Sequence, residues 1–387
     1  MEVVYIKKFL TCALIINMLI SFNTVLATNQ GLENFKEELN LNEFIEEIKN
    51  YSNEYFPELA DEKFLNNLIN GNIQESDSNI FEKIFNSLIG EFQANISLIL
   101  KIIGIAILCS MLKNIQTNFS ETGISDLAFY TCYLIVVTLI ITTFTNIITL
   151  CGDTVSKLSS FMNMIVPLVF ALIAITGNIT TISFLQPVII GMITFIAYLL
   201  NKIILPIIYI STIVNIITNI SNHIKLEKLS EVFKKGSLWV MEICLLIFIG
   251  ILSIEGSLSS TVDGMTSKIA KNIVSSTIPV VGKVLGDTVD SVIGGIAITK
   301  NAIGFIGVIA ILAITVGPLL KSLISMIVFN FASAFIEPIT DNRIAKCMSG
   351  VADSLKIIVG ILAVVIFIFI IAITMMLKIS NNALMYK

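Results

Sequence analysis

The amino-acid sequence predicts an all-α polytopic membrane protein with seven to nine transmembrane helices, a small helical extracytoplasmic N-terminal region and an amphipathic helical hairpin. Composition predicts the class, because 55% of the 387 residues are hydrophobic and only 13% are charged. Soluble globular domains have about 25% charged residues. The mean hydropathy is +0.90, and the apolar residues are gathered in runs long enough to cross a bilayer.

Residues 1–27 are typical of a signal peptide. Lys7 and Lys8 supply the charged start, residues 9–20 supply a short apolar core, and residues 25–27 place small side chains where cleavage occurs. The alternative is an uncleaved anchor helix, although the apolar run is short for a span.

Residues 28–91 are predicted to be an acidic extracytoplasmic helical region, with 14 acidic and 4 basic side chains. Apolar side chains recur there at helical spacing, as at Phe44, Ile45 and Ile48. About 60 residues can form a small helical domain but not a large core. The carboxylates have no His or Cys beside them, which favours a solvated module that contacts partners over a catalytic acid pair.

Apolar runs divide the rest into a first membrane helix group at 92–254 and a second at 302–387. The predicted spans are 94–112, 127–150, 158–176, 182–200, 203–220, 237–254, 302–316, 319–337 and 355–377. About 20 residues are needed to cross the hydrocarbon core. The runs 158–176 and 302–316 are the least complete, so each is either a span or a re-entrant helix.

Charge gives an orientation for this arrangement. Nine spans after an outward N-terminal region place the 221–236 loop in the cytoplasm, and the densest basic cluster lies there, at Lys225, Lys228, Lys234 and Lys235. This agrees with the positive-inside rule. The same count places the C-terminus in the cytoplasm and residues 255–301 on the outer side.

Residues 255–301 are predicted to form the amphipathic hairpin. Apolar residues follow one helical face, and Pro279 and Gly282 interrupt the pattern before it resumes. This favours two short helices hinged at 278–282, whose surface serves assembly or lines a conduit. The residues predicted for that surface are Glu255, Asp263, Lys268, Pro279, Gly282, Lys283, Asp287, Asp290 and Lys300.

Lys101, Glu242 and Glu337 are predicted intramembrane polar residues. A carboxylate at the centre of a span costs roughly 2.5–3.5 kcal/mol on insertion scales. Glu242 either faces a pore or partner helix, or reaches water at the interface beside Trp239. Lys101 either has a function within the span or extends its long side chain toward water.

Prolines and glycines give two further expectations. Gln186-Pro187 and Glu337-Pro338 lie in similar five-residue stretches, which reflects either an internal repeat of broken helices or coincidence. Gly294, Gly295, Gly304 and Gly307 are predicted to allow close helix packing in lipid.

No catalytic, cofactor or metal site is predicted. The six cysteines form no CxxC pair, His223 is the single histidine, and no GxxxxGK[ST] phosphate loop occurs. The sequence therefore predicts a protein that is not an enzyme.

Several motifs together carry a resemblance to a known family. They are SIEG (253–256), TVDG (261–264), KIAKN (268–272), IPVVGK (278–283), DTVDSVI (287–293) and KNAIGFIGV (300–308). With the signal peptide, acidic N-terminal region and polytopic body, the chain resembles the stage III sporulation protein AE family over essentially its whole length.

The resemblance implies a component of the channel that links mother cell and forespore in endospore-forming bacteria. Its implied partners are the other stage III sporulation proteins, AA to AH, and stage II sporulation protein Q, without any nucleic acid. The implied location is the outer forespore membrane, with the N-terminal region between the two membranes. No catalytic or substrate-binding residue can be transferred from the family.

Two function hypotheses from different classes therefore stand. One is a non-enzymatic membrane component of this secretion-like channel. The other is a self-sufficient secondary transporter with its own substrate site, which is expected to show clearer inverted repeats and charges that converge at the midplane.

Overall fold

In the computed structural model, all regular secondary structure of the described residues is helical. These residues are 41–51, 100–108, 122–175, 179–220, 226–277, 281–339 and 342–385, with scattered positions between 56 and 111. Side chains at 41–43, 122–130, 179–181, 220, 254–293 and 379–385 are outside the described part. The helices are α1 (Leu41–Lys49), α2 (Thr122–Ile175), α3 (Ile179–Leu199), α4 (Leu205–Ile220), α5 (Glu227–Thr277), α6 (Val281–Ile336) and α7 (Asn342–Met385). The predicted signal peptide and most of residues 28–91 lie outside the described part.

Five described helical stretches are long and apolar enough to cross a membrane, as the composition predicts. They are Thr131–Ile175, Ile182–Asn219, Glu227–Ser253, Gly294–Ile336 and Asn342–Lys378. The described residues do not confirm seven to nine crossings. Of the predicted span 94–112, residues 100–108 are described as helix.

Three predicted pairs of spans are single continuous helices. Runs 127–150 and 158–176 both lie in α2, and runs 302–316 and 319–337 both lie in α6. Runs 182–200 and 203–220 are joined through the π-helical turn Leu200–Ile204. Polar residues between the runs suggest span ends in the sequence, but none of them ends a helix, and Pro318 stays inside α6. Each pair therefore runs in one direction and is not an antiparallel hairpin.

Helix α7 is the centre of the bundle, because it packs against α2, α4, α5 and α6. It also contains the most apolar span, with a mean hydropathy of 3.4. Buried side chains follow it from end to end, among them Val351, Leu355, Ile358, Leu362, Val365, Phe369, Ile373 and Met376.

Close packing between α6 and its neighbours depends on two glycines, which confirms their predicted role. A Cβ atom on Gly304 would lie 2.5 Å from both Cδ atoms of Leu377 on α7. A Cβ atom on Gly307 would meet Ile165 Cδ1 on α2 and would lie 3.1 Å from Ile373 Cδ1. Gly294, by contrast, has no atom of another helix in the described part of the chain within 4 Å of that position.

The same contacts show which ends of α6 and α7 lie together in the bundle. Gly304 lies beside Leu377, and at the other end Ser333 Oγ donates to the Ala345 carbonyl at 2.8 Å. Helices α6 and α7 are therefore antiparallel, so the start of α6 and the end of α7 lie at one end of the bundle. The predicted count treated runs 302–316 and 319–337 as two crossings, whereas both lie in α6. The sides of the membrane on which residues 255–301 and the C-terminus lie stay predictions.

The hairpin and the basic loop also differ from their predicted forms. Helix α5 ends at Thr277 and α6 begins at Val281, so the helices stop close to the predicted hinge. However, residues 255–277 and 281–301 are the ends of long helices and not two short ones. Residues 227–236 of the predicted 221–236 loop already belong to α5.

Helix α1 presents the apolar stripe predicted for it, since Phe44, Ile45 and Ile48 are buried. The ring of Tyr51, just after α1, meets Phe161 of α2 edge to face, with ring centroids 5.5 Å apart. Burial, with the Glu47 carboxylate nearby, raises the pKa of the Tyr51 phenol. This part of the N-terminal region therefore packs directly on the long-helix bundle.

Candidate functional site: a polar cluster and two buried lysines

Two serines join α4 to α5 inside the bundle. Ser211 Oγ donates to the Ser230 backbone carbonyl at 2.8 Å, and Ser230 Oγ donates to the Ser211 carbonyl at 2.9 Å. Both side chains are buried. Because each hydroxyl reaches the other helix, the pair fixes how far α4 can slide along α5.

Helix α7 is bonded to both of these helices at nearly the same height. Thr212 Oγ1 donates to Ser354 Oγ at 2.7 Å, and Ser354 Oγ donates to the Gly350 carbonyl at 3.0 Å. Lys234 Nζ, from α5, donates to the same carbonyl at 3.0 Å. We call this group the polar cluster; its members are Ser211, Thr212, Ser230, Lys234, Gly350 and Ser354.

Gly350 is required at the centre of the polar cluster. A Cβ atom there would meet the Asn215 carboxamide, with Oδ1 nearest and Cγ at 2.8 Å. The absence of a side chain lets α4 approach closely, and it leaves the Gly350 carbonyl open to Lys234.

A second buried lysine lies toward the other end of α7. Lys300, on α6, is fully buried, and its Nζ donates to the Leu377 carbonyl at 2.8 Å. Lys234 and Lys300 thus bind backbone carbonyls 27 residues apart on α7, which is about 40 Å along the helix. A buried cation needs such partners because desolvation is costly.

These contacts are suited to holding helices together. Each described hydroxyl of the polar cluster donates to a backbone carbonyl or to another hydroxyl, and a hydrogen bond of this kind contributes about 0.5–1.5 kcal/mol net to stability. Among the described residues, no group of three or more His, Cys, Asp or Glu could hold a metal ion.

The structure separates the three predicted intramembrane polar residues. Lys101, Glu242 and Glu337 are all exposed, on the 100–108 helix, on α5 and in the turn after α6 respectively. They do not converge on one site in the described part of the chain. Pro187 lies inside α3 whereas Pro338 follows the end of α6, so the two similar stretches occupy different structural settings.

The predicted assembly surface is only partly described. Lys300 is a correction, since it lies inside the bundle instead of on an outward surface. Pro279 lies outside the described residues. Gly282 belongs to the first turn of α6, and the remaining members lie on α5 or α6 with their side chains outside the described part: Glu255, Asp263, Lys268, Lys283, Asp287 and Asp290.

Lys234 is buried, although the sequence predicts that it lies with the other basic residues in a loop. A signal was present, because Lys234 lies on one helical stripe with buried Ser230, Ser237, Met241 and Cys244. That spacing of four, three, four and three residues continues the face by which α5 packs on its neighbours. A lysine on such a stripe must find a buried acceptor.

Comparison with known proteins identifies the family. The family model described as stage III sporulation protein AE matches residues 60–380, which include all of α2 to α6 and most of α7. The chain belongs to the stage III sporulation protein AE family. Among curated relatives of this family, Stage III sporulation protein AE of Bacillus subtilis (strain 168) is 26% identical over 319 residues, covering 82% of this chain and 80% of the relative. No solved structure matches the chain.

Family membership assigns the protein to sporulation, and the five apolar helices make it a membrane protein. The match extends over both the polar cluster and the Lys300 contact. The helices that carry the buried lysines therefore belong to the part of the chain shared with the family.

Proposed function

We propose that this protein is a non-enzymatic integral membrane component of the channel that joins the mother cell and the forespore during endospore formation. One combined observation supports the proposal: a sporulation family matches most of the chain, and the described buried polar groups bond helices together. Buried polar groups that bond helices to one another are expected in a subunit that serves as a structural scaffold.

The proposal includes a location and partners. The protein lies in the outer forespore membrane, with its acidic N-terminal region between the two membranes. It assembles there with the other stage III sporulation proteins, AA to AH, and with stage II sporulation protein Q on the forespore side. This part rests on the family alone.

The competing hypothesis, a self-sufficient secondary transporter, gains no specific support from the described residues. Broken helices in equivalent positions would favour it, but Pro187 and Pro338 lie in different settings. The exposed charges Lys101, Glu242 and Glu337 lie on three separate helical segments.

Deletion of the gene in the native host tests the proposal. We expect engulfment to finish, late forespore transcription to fail, and heat-resistant spores to be lost. Reintroduction of the intact gene is the control and should restore all three. Normal spores from the deletion strain would contradict the channel role. A growth defect in non-sporulating cells would instead favour an independent transporter.

A further inference from the structure

The long helices share a polar level halfway along the bundle. Cys151 Sγ on α2 lies 3.6 Å from Ser322 Oγ on α6. Asn201 Nδ2, in the π-helical turn, donates to Ser156 Oγ on α2 at 2.9 Å. These contacts place residues 151–157, 201–202 and 321–322 at one height, although they are far apart in sequence.

Three exposed lysines lie at this height, one on each segment. They are Lys157, Lys202 and Lys321, which we call the lysine ring. Asp153, also exposed, lies one helical turn from Lys157. Each lysine is flanked by apolar runs on its own helix, and among the described side chains of these three helices exposed charge is found only at this level.

Exposed aromatic residues accompany the lysine ring. Tyr198 is 60% exposed and lies one turn from Lys202 on the same continuous helix. Trp239 is 70% exposed. Helices α4 and α5 are in contact at Ser211 and Ser230. Because Lys202 and Trp239 each lie nine residues from that contact, they are at the same height. Tyr and Trp together with Lys are the residues that concentrate where a membrane meets water.

On one side of the lysine ring, the bundle has the dimensions of a bilayer core. The runs 158–175, 301–320 and 357–377 contain no charged residue, and they correspond to about 27–32 Å of helix. The hydrocarbon core is about 30 Å thick. At the far end of these runs lie the buried Lys300 and the exposed Lys378. Glu242 lies one helical turn from Trp239 and is therefore close to the height of the lysine ring.

On α2, α4 and α6, the opposite half of the bundle is equally apolar. The charged residues of α5 and α7 therefore indicate which half the bilayer surrounds. Their exposed charged side chains in that half are Glu227, Lys228, Glu231, Lys235, Lys346, Asp353 and Lys356. Glu231 and Lys235 form an ion pair at 2.6 Å and remain 59% and 73% exposed. Hydrocarbon around this half would have to desolvate all of these groups.

We propose that the bilayer surrounds only the half of the bundle between the lysine ring and the end of α7. The other half, comprising residues 131–150, 203–220, 226–236, 322–339 and 342–356, stands outside the hydrocarbon. The lysine ring then contacts lipid phosphate groups. This explains helices that are about twice as long as a bilayer is thick. The inference does not rest on the proposed channel role, since it concerns the isolated protein and a lipid surface.

Site-directed spin labelling of the purified full-length protein in phosphatidylcholine vesicles tests the boundary. Single cysteines are introduced into a chain without its six native cysteines. The α3–α4 helix offers a matched pair, because Phe195 and Ile210 are apolar and 52% and 51% exposed on opposite sides of the lysine ring. Phe184 (51%) and Ile217 (41%) form a second pair, should either variant fail to fold.

Oxygen concentrates in lipid and a neutral nickel chelate stays in water, so their collision rates with the label separate the two environments. We expect the ratio of oxygen to nickel collisions to be several-fold higher at 195 than at 210, and at 184 than at 217. Low collision rates with both reagents at 210 and 217 would place these positions against protein and still support the boundary. Lipid-like ratios at 210 and 217, or water-like ratios at 184 and 195, would overturn it. Loss of sporulation function in the host has no bearing on these ratios.

Discussion

The packing of α6 against α2 and α7 predicts that one added methyl group lowers the stability of the protein. A second substitution that removes the clashing atom should restore part of the loss. In Gly307→Ala, the new Cβ would meet Ile165 Cδ1 and would lie 3.1 Å from Ile373 Cδ1. Overpacking of this kind costs about 1–3 kcal/mol. Ile165→Val removes the Cδ1 atom and alone costs about 0.5–1.5 kcal/mol. Because the second change removes the clash that the first creates, the double variant should be less destabilised than the two costs combined.

The assay is thermal unfolding of the detergent-solubilised protein, followed by the fluorescence of its single tryptophan. A coupling of about 1 kcal/mol or more between positions 165 and 307 is expected for side chains in direct contact. Gly294→Ala is the matched control on the same helix, since nothing lies within 4 Å of its Cβ position. There, alanine should be neutral or stabilising by about 0.5–1 kcal/mol. The packing described for α6 is refuted if the variants at 294 and 307 behave alike or if Ile165→Val gives no rescue.

Three further outcomes are expected. Lys300→Met should change stability by less than about 1.5 kcal/mol, because it keeps the side-chain volume and removes the buried charge. Lys300→Ala should cost about 2–5 kcal/mol through the cavity it leaves. Equal losses of stability for the two variants in melting experiments would contradict this. Thr212→Val and Ser354→Ala should show a coupling of about 0.5–1.5 kcal/mol in a double-mutant cycle, and strict additivity would argue against their 2.7 Å bond. Cysteines at Lys268 and Lys378 should react with an impermeant maleimide from the same side of the membrane, and labelling from opposite sides would contradict the placement of residues 255–301 and the C-terminus at one end of the bundle.

Apolar runs predicted helices correctly but did not predict where helices end. A bilayer crossing and a buried stretch of helix have the same composition, because lipid tails and apolar side chains are chemically alike. The residues between runs 127–150 and 158–176, including Gly152 and Asp153, resemble a span boundary in sequence. In the fold they continue α2, and Gly152 lets Asn201 approach.

The candidate site was even less accessible to sequence reasoning. Lys101, Glu242 and Glu337 stand out as charges in apolar runs, yet all three are exposed. Lys234 looks like an ordinary member of a basic loop and is buried against the Gly350 carbonyl. Whether a lysine is solvated or buried depends on which helix lies opposite, and its acceptor here is a backbone carbonyl 116 residues away.

The sequence by itself determined the helical class, the membrane environment and the family, because these depend on composition, on local periodicity and on motifs within the chain. Its four predicted packing glycines include Gly304 and Gly307, at which α6 packs closely, although Gly294 has open space. Only the tertiary structure decided that pairs of apolar runs are single long helices, that α7 is central, and that residues 255–301 and the C-terminus share one end of the bundle. These features depend on contacts between distant residues, such as Gly307 with Ile165 and Lys300 with Leu377, and a pattern of hydrophobicity along the chain contains no information about which faces meet.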